Sequence, residues 1–131
     1  MTNAISRDAA HHFANSMRFK RSNTEVTVEV HQGTNGPYDI TRLILHNNVI
    51  ACAISGMTNE GYGFETFSIT TAGWPTRVTK ARLNALSGKH ADFPFFQVKT
   101  LGGELLLNDR PWDGEWKSLI TEEEGGGLFV Q

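Results

Sequence analysis

The 131-residue chain holds a single cysteine, Cys52, which excludes an internal disulfide and any cysteine-cluster zinc site. Long apolar runs are missing too. The longest, Val49 to Ile54, is six residues, far short of the ~20 that span a bilayer as a helix. No charged-then-apolar leader opens the chain, because Met1 to Ile5 runs straight into polar, His-rich sequence. Charge of one sign is not in excess: twelve Lys/Arg against fourteen Asp/Glu leave −2. That excludes a strongly basic nucleic-acid coat but not a local basic patch. Charged residues are only 20% and hydrophobic ones 39%, which fits neither a disordered chain nor a coiled coil. No internal repeat of roughly 20–50 residues occurs. These absences lead to an expectation of one soluble, cytoplasmic domain with no membrane contact.

What is present reads as an α+β domain over residues 1–121. Ala9, Ala10, Phe13, Ala14 and Met17 share one side at helical spacing, and Arg7, His11, Asn15 and Arg18 share the other. This predicts a helix from about Arg7 to Arg18 with Ser6 as N-cap. Strict alternation from Thr24 to Gln32 predicts a half-buried strand whose Val26, Val28 and Val30 face one way. Gly33 to Pro37 reads as a loop, and Ile40–Leu45, Val49–Ile54 and Tyr62–Thr70 as further strands of an antiparallel meander. Cys52 is then a small buried hydrophobe in a strand. Thr76 to Ser87 reads as a second helix, capped by Thr76 and stopped at Gly88. Phe95–Leu101 and Glu104–Leu107 complete an antiparallel sheet of five to six strands with two helices packed on it. Residues 122–131 read as a Glu/Gly-rich tail ending in an apolar tag, Leu128-Phe129-Val130.

Charge is polarised along the chain. Residues 1–21 and 76–91 are basic, the latter holding Arg77, Lys80, Arg82 and Lys89 with no acid, while residues 104–124 are acidic. Either these regions neutralise each other or the basic helices face a partner. Arg7, His11, Arg18, Arg77, Lys80, Asn84 and Lys89 are the partner-binding candidates. Helical projection puts Val78, Ala81, Ala85 and Leu86 on the core-facing arc of the second helix, and Arg82 falls within it. That position assigns Arg82 to a structural pairing, with Asp113 or Glu115 as its acid.

The stretch Phe67-Ser68-Ile69-Thr70-Thr71-Ala72-Gly73-Trp74-Pro75-Thr76, continued by Thr79-Lys80-Ala81-Arg82-Leu83-Asn84, resembles a family of small bacteriophage proteins. Their shared features are a strand reading "ISTAGW-x-T" and a helix reading "T-x-x-RLN". Leu105-Leu106-Leu107-Asn108-Asp109-Arg110-Pro111-Trp112-Asp113-Gly114 is similar to the hairpin that closes such proteins, with Asp109 in place of a turn glycine. The resemblance covers about residues 42–119. It implies a fold and a viral origin, and it carries over no catalytic residue. Physically the motif reads as architecture: Gly73 permits a sharp exit from the strand, and Trp74 closes the end of the core. Pro75 enters the helix, Thr76 caps it, and Trp112 and Asp113 belong to the hairpin.

Chemistry is sparse. Adjacent His11 and His12 diverge by about 100° on a helix and cannot easily both ligate one ion. No nucleophile elbow or phosphate loop is present, and no cofactor is expected. The viral resemblance favours a non-enzymatic accessory protein that binds a host bacterial protein or immune complex stoichiometrically. A nucleic-acid binder using the two basic helices comes second, with Trp74, Phe95 and Phe96 as stacking candidates. A small enzyme comes third.

Overall fold

The computed structural model describes residues 3–58 and 61–120, so the tail at 122–131 lies outside the described residues. Helix α1 spans Ala4–Ala14. Strands β1 (Phe19–Arg21), β2 (Thr24–Gly33), β3 (Gly36–Leu45), β4 (Asn48–Thr58) and β5 (Gly61–Ile69) follow as a continuous antiparallel meander. Helix α2 spans Arg77–Asn84, and β6 (Val98–Leu101), β7 (Glu104–Leu107), β8 (Arg110–Pro111) and β9 (Lys117–Ser118) complete the chain. The six-stranded sheet has the order β1-β2-β3-β4-β5-β9, and β6-β7-β8 form a separate small sheet. The architecture is α+β, with one sheet more than the alternation pattern predicts.

Tight turns set the register. His46 and Asn47 have φ of +51° and +68°, and Asn108 and Asp109 have +52° and +66°. Positive φ at both central positions is the type I′ geometry whose twist matches flanking strands, and after glycine Asn and Asp tolerate it best. The segment expected as a loop from Gly33 to Pro37 is mostly strand. Gly33 pairs with Gly36 across a two-residue Thr34-Asn35 turn, and Pro37 sits opposite Gln32.

Both helices pack on one face of the large sheet and touch each other. The core between them holds Phe13 from α1, Val26, Leu43, Ala51, Ala53, Phe67 and Ile69 from the sheet, and Leu83 and Leu86 from the α2 region. Its centre is aromatic: Phe67 stacks on Phe93 at 4.2 Å between centroids, and Phe13 and Phe64 lean on the same ring. At the start of β4, Leu43 pairs with Ala51 and Ile44 with Val49, so Ile50 is an extra, bulged residue, and it is fully buried.

Helix α1 begins earlier than periodicity suggests. Asn3 is the N-cap, and its Oδ1 accepts from the backbone N–H of Ser6 at 2.9 Å. Asn is as good a cap as Ser, and moving the cap puts Ser6 on the buried stripe with Ala9, Ala10 and Phe13. Met17 falls past the helix end and is 46% exposed. Helix α2 is shorter than expected, ending at Asn84, with hydrogen-bonded turns on to Gly88, whose φ is +63°.

Arg82 is buried, at 4% exposure, as its helical position implies, but the predicted acid partner is absent. Its Nε donates to Thr24 Oγ1 at 2.8 Å and its Nη1 to Ser6 Oγ at 2.7 Å. Longer bonds of 3.4 Å reach Asn3 Oδ1 and Asn23 Oδ1. Among the described residues no carboxylate lies within ion-pair distance. Asp113 instead closes its own turn, accepting from the Glu115 N–H at 2.9 Å. One guanidinium therefore ties α2 to the start of α1 and to the β1–β2 turn through neutral oxygens. Arg82→Ala takes the donor from the buried Ser6 hydroxyl, leaves Thr24 Oγ1 only its 2.8 Å bond to Asn23 Oδ1, and empties the space of the guanidinium. An unsatisfied buried hydroxyl alone costs about 1–3 kcal/mol. We predict a loss of about 3 kcal/mol in urea unfolding; an unchanged midpoint would show that the tie is dispensable.

Candidate functional site

The resembling motif lies at one end of the large sheet. Thr71, Ala72, Gly73 and Trp74 form a turn closed by Trp74 N–H donating to Thr71 O at 2.9 Å. Ala72 has φ +55° and Gly73 φ +84°, so a non-glycine residue is held in the left-handed region, at a cost of about 1–2 kcal/mol. The turn swings Trp74 outward: it is 64% exposed rather than closing the core. Periodicity fails here because a large apolar residue in a turn has no face assigned by the helix or strand repeat. Pro75 and Thr76 then lead into α2, and Thr76 Oγ1 caps it by accepting from Thr79 N–H at 3.1 Å.

The turn is braced by the closing hairpin. The Gly114 carbonyl accepts from Thr70 Oγ1 at 2.7 Å and from Thr71 N–H at 2.9 Å. A Cβ at Gly114, whose φ is +82°, would stand 2.5 Å from Thr71 Oγ1, so only glycine fits. Trp112 is half-buried against the core and donates Nε1–H to Glu115 O at 3.1 Å. The two halves of the sequence motif are thus one structural unit whose visible product is an outward-facing tryptophan.

Beneath Trp74 lies a mainly apolar groove of about 510 Å³. Its apolar lining is Leu45, Ile50, Ala72, Trp74 and Val78. His46 and Asn48 line the β3 and β4 side, and Thr71, Thr76 and Thr79 supply hydroxyls. Val78, expected on the core-facing arc, is 37% exposed, because Thr79, Arg82 and Leu83 are the face that α2 buries. Among the described residues no carboxylate lines the groove.

The partner-binding candidates divide. Arg77 is exposed beside the groove, and Lys89 is exposed beyond the other end of α2. Arg7, His11 and Arg18 are exposed on or just after α1, on the same face of the sheet as α2. Lys80 and Asn84 are engaged in the fold instead. Lys80 Nζ donates to Thr100 Oγ1 at 2.7 Å. Asn84 bonds both the N–H and the carbonyl of Val98, at 2.7 and 2.8 Å, as a neighbouring strand would. Helical projection leaves both on the open side because it does not know that β6 comes to lie there. No ion pair among the described residues links α2 to the acidic hairpin; the pairs are Arg21–Asp8, Arg42–Glu29 and Lys99–Asp109, with His31 and His90 beside Glu29 and Asp92.

Other chemistry is thin. Among the described residues no three His, Cys, Asp or Glu side chains gather as metal ligands, and no helix is long and apolar enough to cross a membrane. Cys52 is half-buried on the sheet face away from the helices, opposite Arg42, not fully buried as expected. Burial pushes its thiol above the ordinary range, although Arg42 pulls the other way. Phe95 is 84% exposed, lying against Gly88, whereas Phe96 is buried.

The site is therefore an exposed tryptophan over a surface groove on a small α+β domain. The family model described as Kyanoviridae Gp96 protein matches residues 2–123, and the chain belongs to that phage protein family. No curated protein and no solved structure matches it.

Because Trp74 is exposed, Trp74→Ala is predicted to change unfolding free energy by less than about 0.5 kcal/mol. A loss of several kcal/mol in denaturant titration would return Trp74 to the core.

Proposed function

We propose that this phage accessory protein works without catalysis, in the bacterial host cytoplasm, by stoichiometric binding to a host protein or immune complex. The role would be host takeover or anti-defence. The observation that carries this reading is Trp74, held outward by a strained turn above an apolar groove with Arg77 beside it. Strain of this kind persists where the surroundings over-determine it, and it concentrates at functional sites. Aromatic and arginine side chains are the commonest anchors of protein interfaces. Burying the exposed part of Trp74 would contribute about 3 kcal/mol to association.

A second reading has its own observation. Trp74 and Phe95 are both strongly exposed and stand before and after α2, with Arg77 and Lys89 nearby. Bases of a single strand could stack on such rings while the cations meet phosphates. The open groove favours the protein partner, because stacking needs a platform and not a cavity.

A pull-down from bacterial lysate, with and without nuclease, separates the two. The first reading predicts one host protein retained at near-equal stoichiometry after nuclease, weakened about a hundredfold by Trp74→Ala and also by Arg77→Glu. Retention that vanishes with nuclease would support the second reading. Retention unaffected by Trp74→Ala would show that the groove is not the docking site.

A further inference from the structure

The groove crosses the end of three neighbouring strands, and its two sides differ in charge. On the β3 side stands His46, whose backbone N–H donates to Asn23 O at 2.9 Å and whose Nε2 lies 3.3 Å from Asn23 Nδ2. Asn23 Oδ1 in turn receives one of the long bonds from Arg82. Behind that side, therefore, is a buried cation with only neutral acceptors around it. On the opposite side Thr71 is bonded to Gly114, and the residues flanking Gly114 are the exposed Asp113 and Glu115. Between them the lining carries no acid among the described residues, and exposed Arg77 adjoins lining residues Thr76 and Val78. A small recess behind the β3–β4 turn holds Glu25, with Lys20 on the same wall to offset it.

Resting on the reading of Trp74 as a docking anchor, we propose that the occupant is a protein segment pairing a large apolar side chain with an adjacent carboxylate. The apolar group fills the groove under Trp74, and the carboxylate lies toward His46 and Asn23, away from Asp113 and Glu115. Complementary charge of this kind sets orientation and rejects wrong partners more than it adds raw affinity. A basic segment would meet Arg77 and the field of Arg82, and a wholly apolar one would leave that field unanswered. The groove thus selects for sequence, and not only for hydrophobicity.

The test uses the full chain and three blocked hexapeptides as probes: acetyl-Gly-Leu-Phe-Asp-Glu-Gly-amide, its Asn-Gln counterpart and its Lys-Lys counterpart. Binding is read from the Trp74 indole and the His46 and Asn23 amides in nitrogen–proton NMR spectra. The acidic peptide should bind at least about tenfold more tightly than the neutral one, with the basic one weakest. Asn23→Asp gives Arg82 a carboxylate of its own, so it should leave folding intact and cancel the preference. Equal binding of acidic and neutral peptides, or a preference that survives Asn23→Asp, overturns the charge assignment and leaves the groove reading standing. The charge assignment falls in the same way if no peptide moves Trp74 while host capture still depends on it. Host capture that ignores Trp74→Ala sinks the groove reading itself. Without peptide, a Trp74 signal that changes on dilution assigns the groove to a second copy, and one that changes in Phe129→Ala assigns it to the chain's own tail. Either result overturns the partner proposed here.

Discussion

The fold turns on one buried cation. Arg82 lies on the inward face of α2 and reaches the N-cap of α1, a serine one turn into that helix, the last residue of the β1–β2 turn and the first of β2. Burial lowers its pKa from the usual arginine range, as expected where desolvation is not offset by an acid. A guanidinium remains charged in such a place because its ordinary pKa is so high. It offers five donors in a fixed fork, so it can join several chain segments where a hydroxyl or an amide could join one or two. Without that tie, α1 and α2 would share only their apolar contact across the sheet.

The tie also decides what α2 has left for recognition. Thr79, Arg82 and Leu83 are buried, Lys80 reaches the small sheet, and Asn84 bridges to β6. Only Arg77 and Val78 near the start of the helix, with Trp74 in the turn before it, remain open to a partner. Structural and exposed residues therefore alternate within one short motif. The hairpin carrying Trp112, Asp113 and Gly114 holds the arrangement from the other side, through a single glycine carbonyl. A rigid frame of this kind suits binding, since a pre-organised side chain loses little freedom on association.

Much of the frame is legible from residue order. Alternation of Val26, Val28 and Val30 marks β2, His46-Asn47 and Asn108-Asp109 mark turns whose type only the structure gives, and the helical stripe through Phe13 marks α1. Strands of two or three residues, such as β1, β8 and β9, carry too little pattern to be seen. Arg82 is identified as structural, but its partners lie 58 to 79 residues away and are neutral, so counting charges leads to the wrong acid. One signal is available: Thr24 shares the parity of Val26, and Ser6 shares the stripe of Ala9, Ala10 and Phe13, so both are polar groups on buried faces that need a donor. Trp74 is read as core because hydrophobicity gives the tendency to bury a side chain and not the direction in which a turn points it.

The central claim is that one motif divides into a buried tie at Arg82 and an exposed anchor at Trp74. Hydrogen exchange followed by NMR in a single sample reads both, through the Arg82 Nε–H and the Trp74 Nε1–H. The account predicts an Arg82 proton that exchanges only when the fold opens, and a Trp74 proton that exchanges at the rate of a free indole. A protected Trp74 proton beside a freely exchanging Arg82 proton would contradict it.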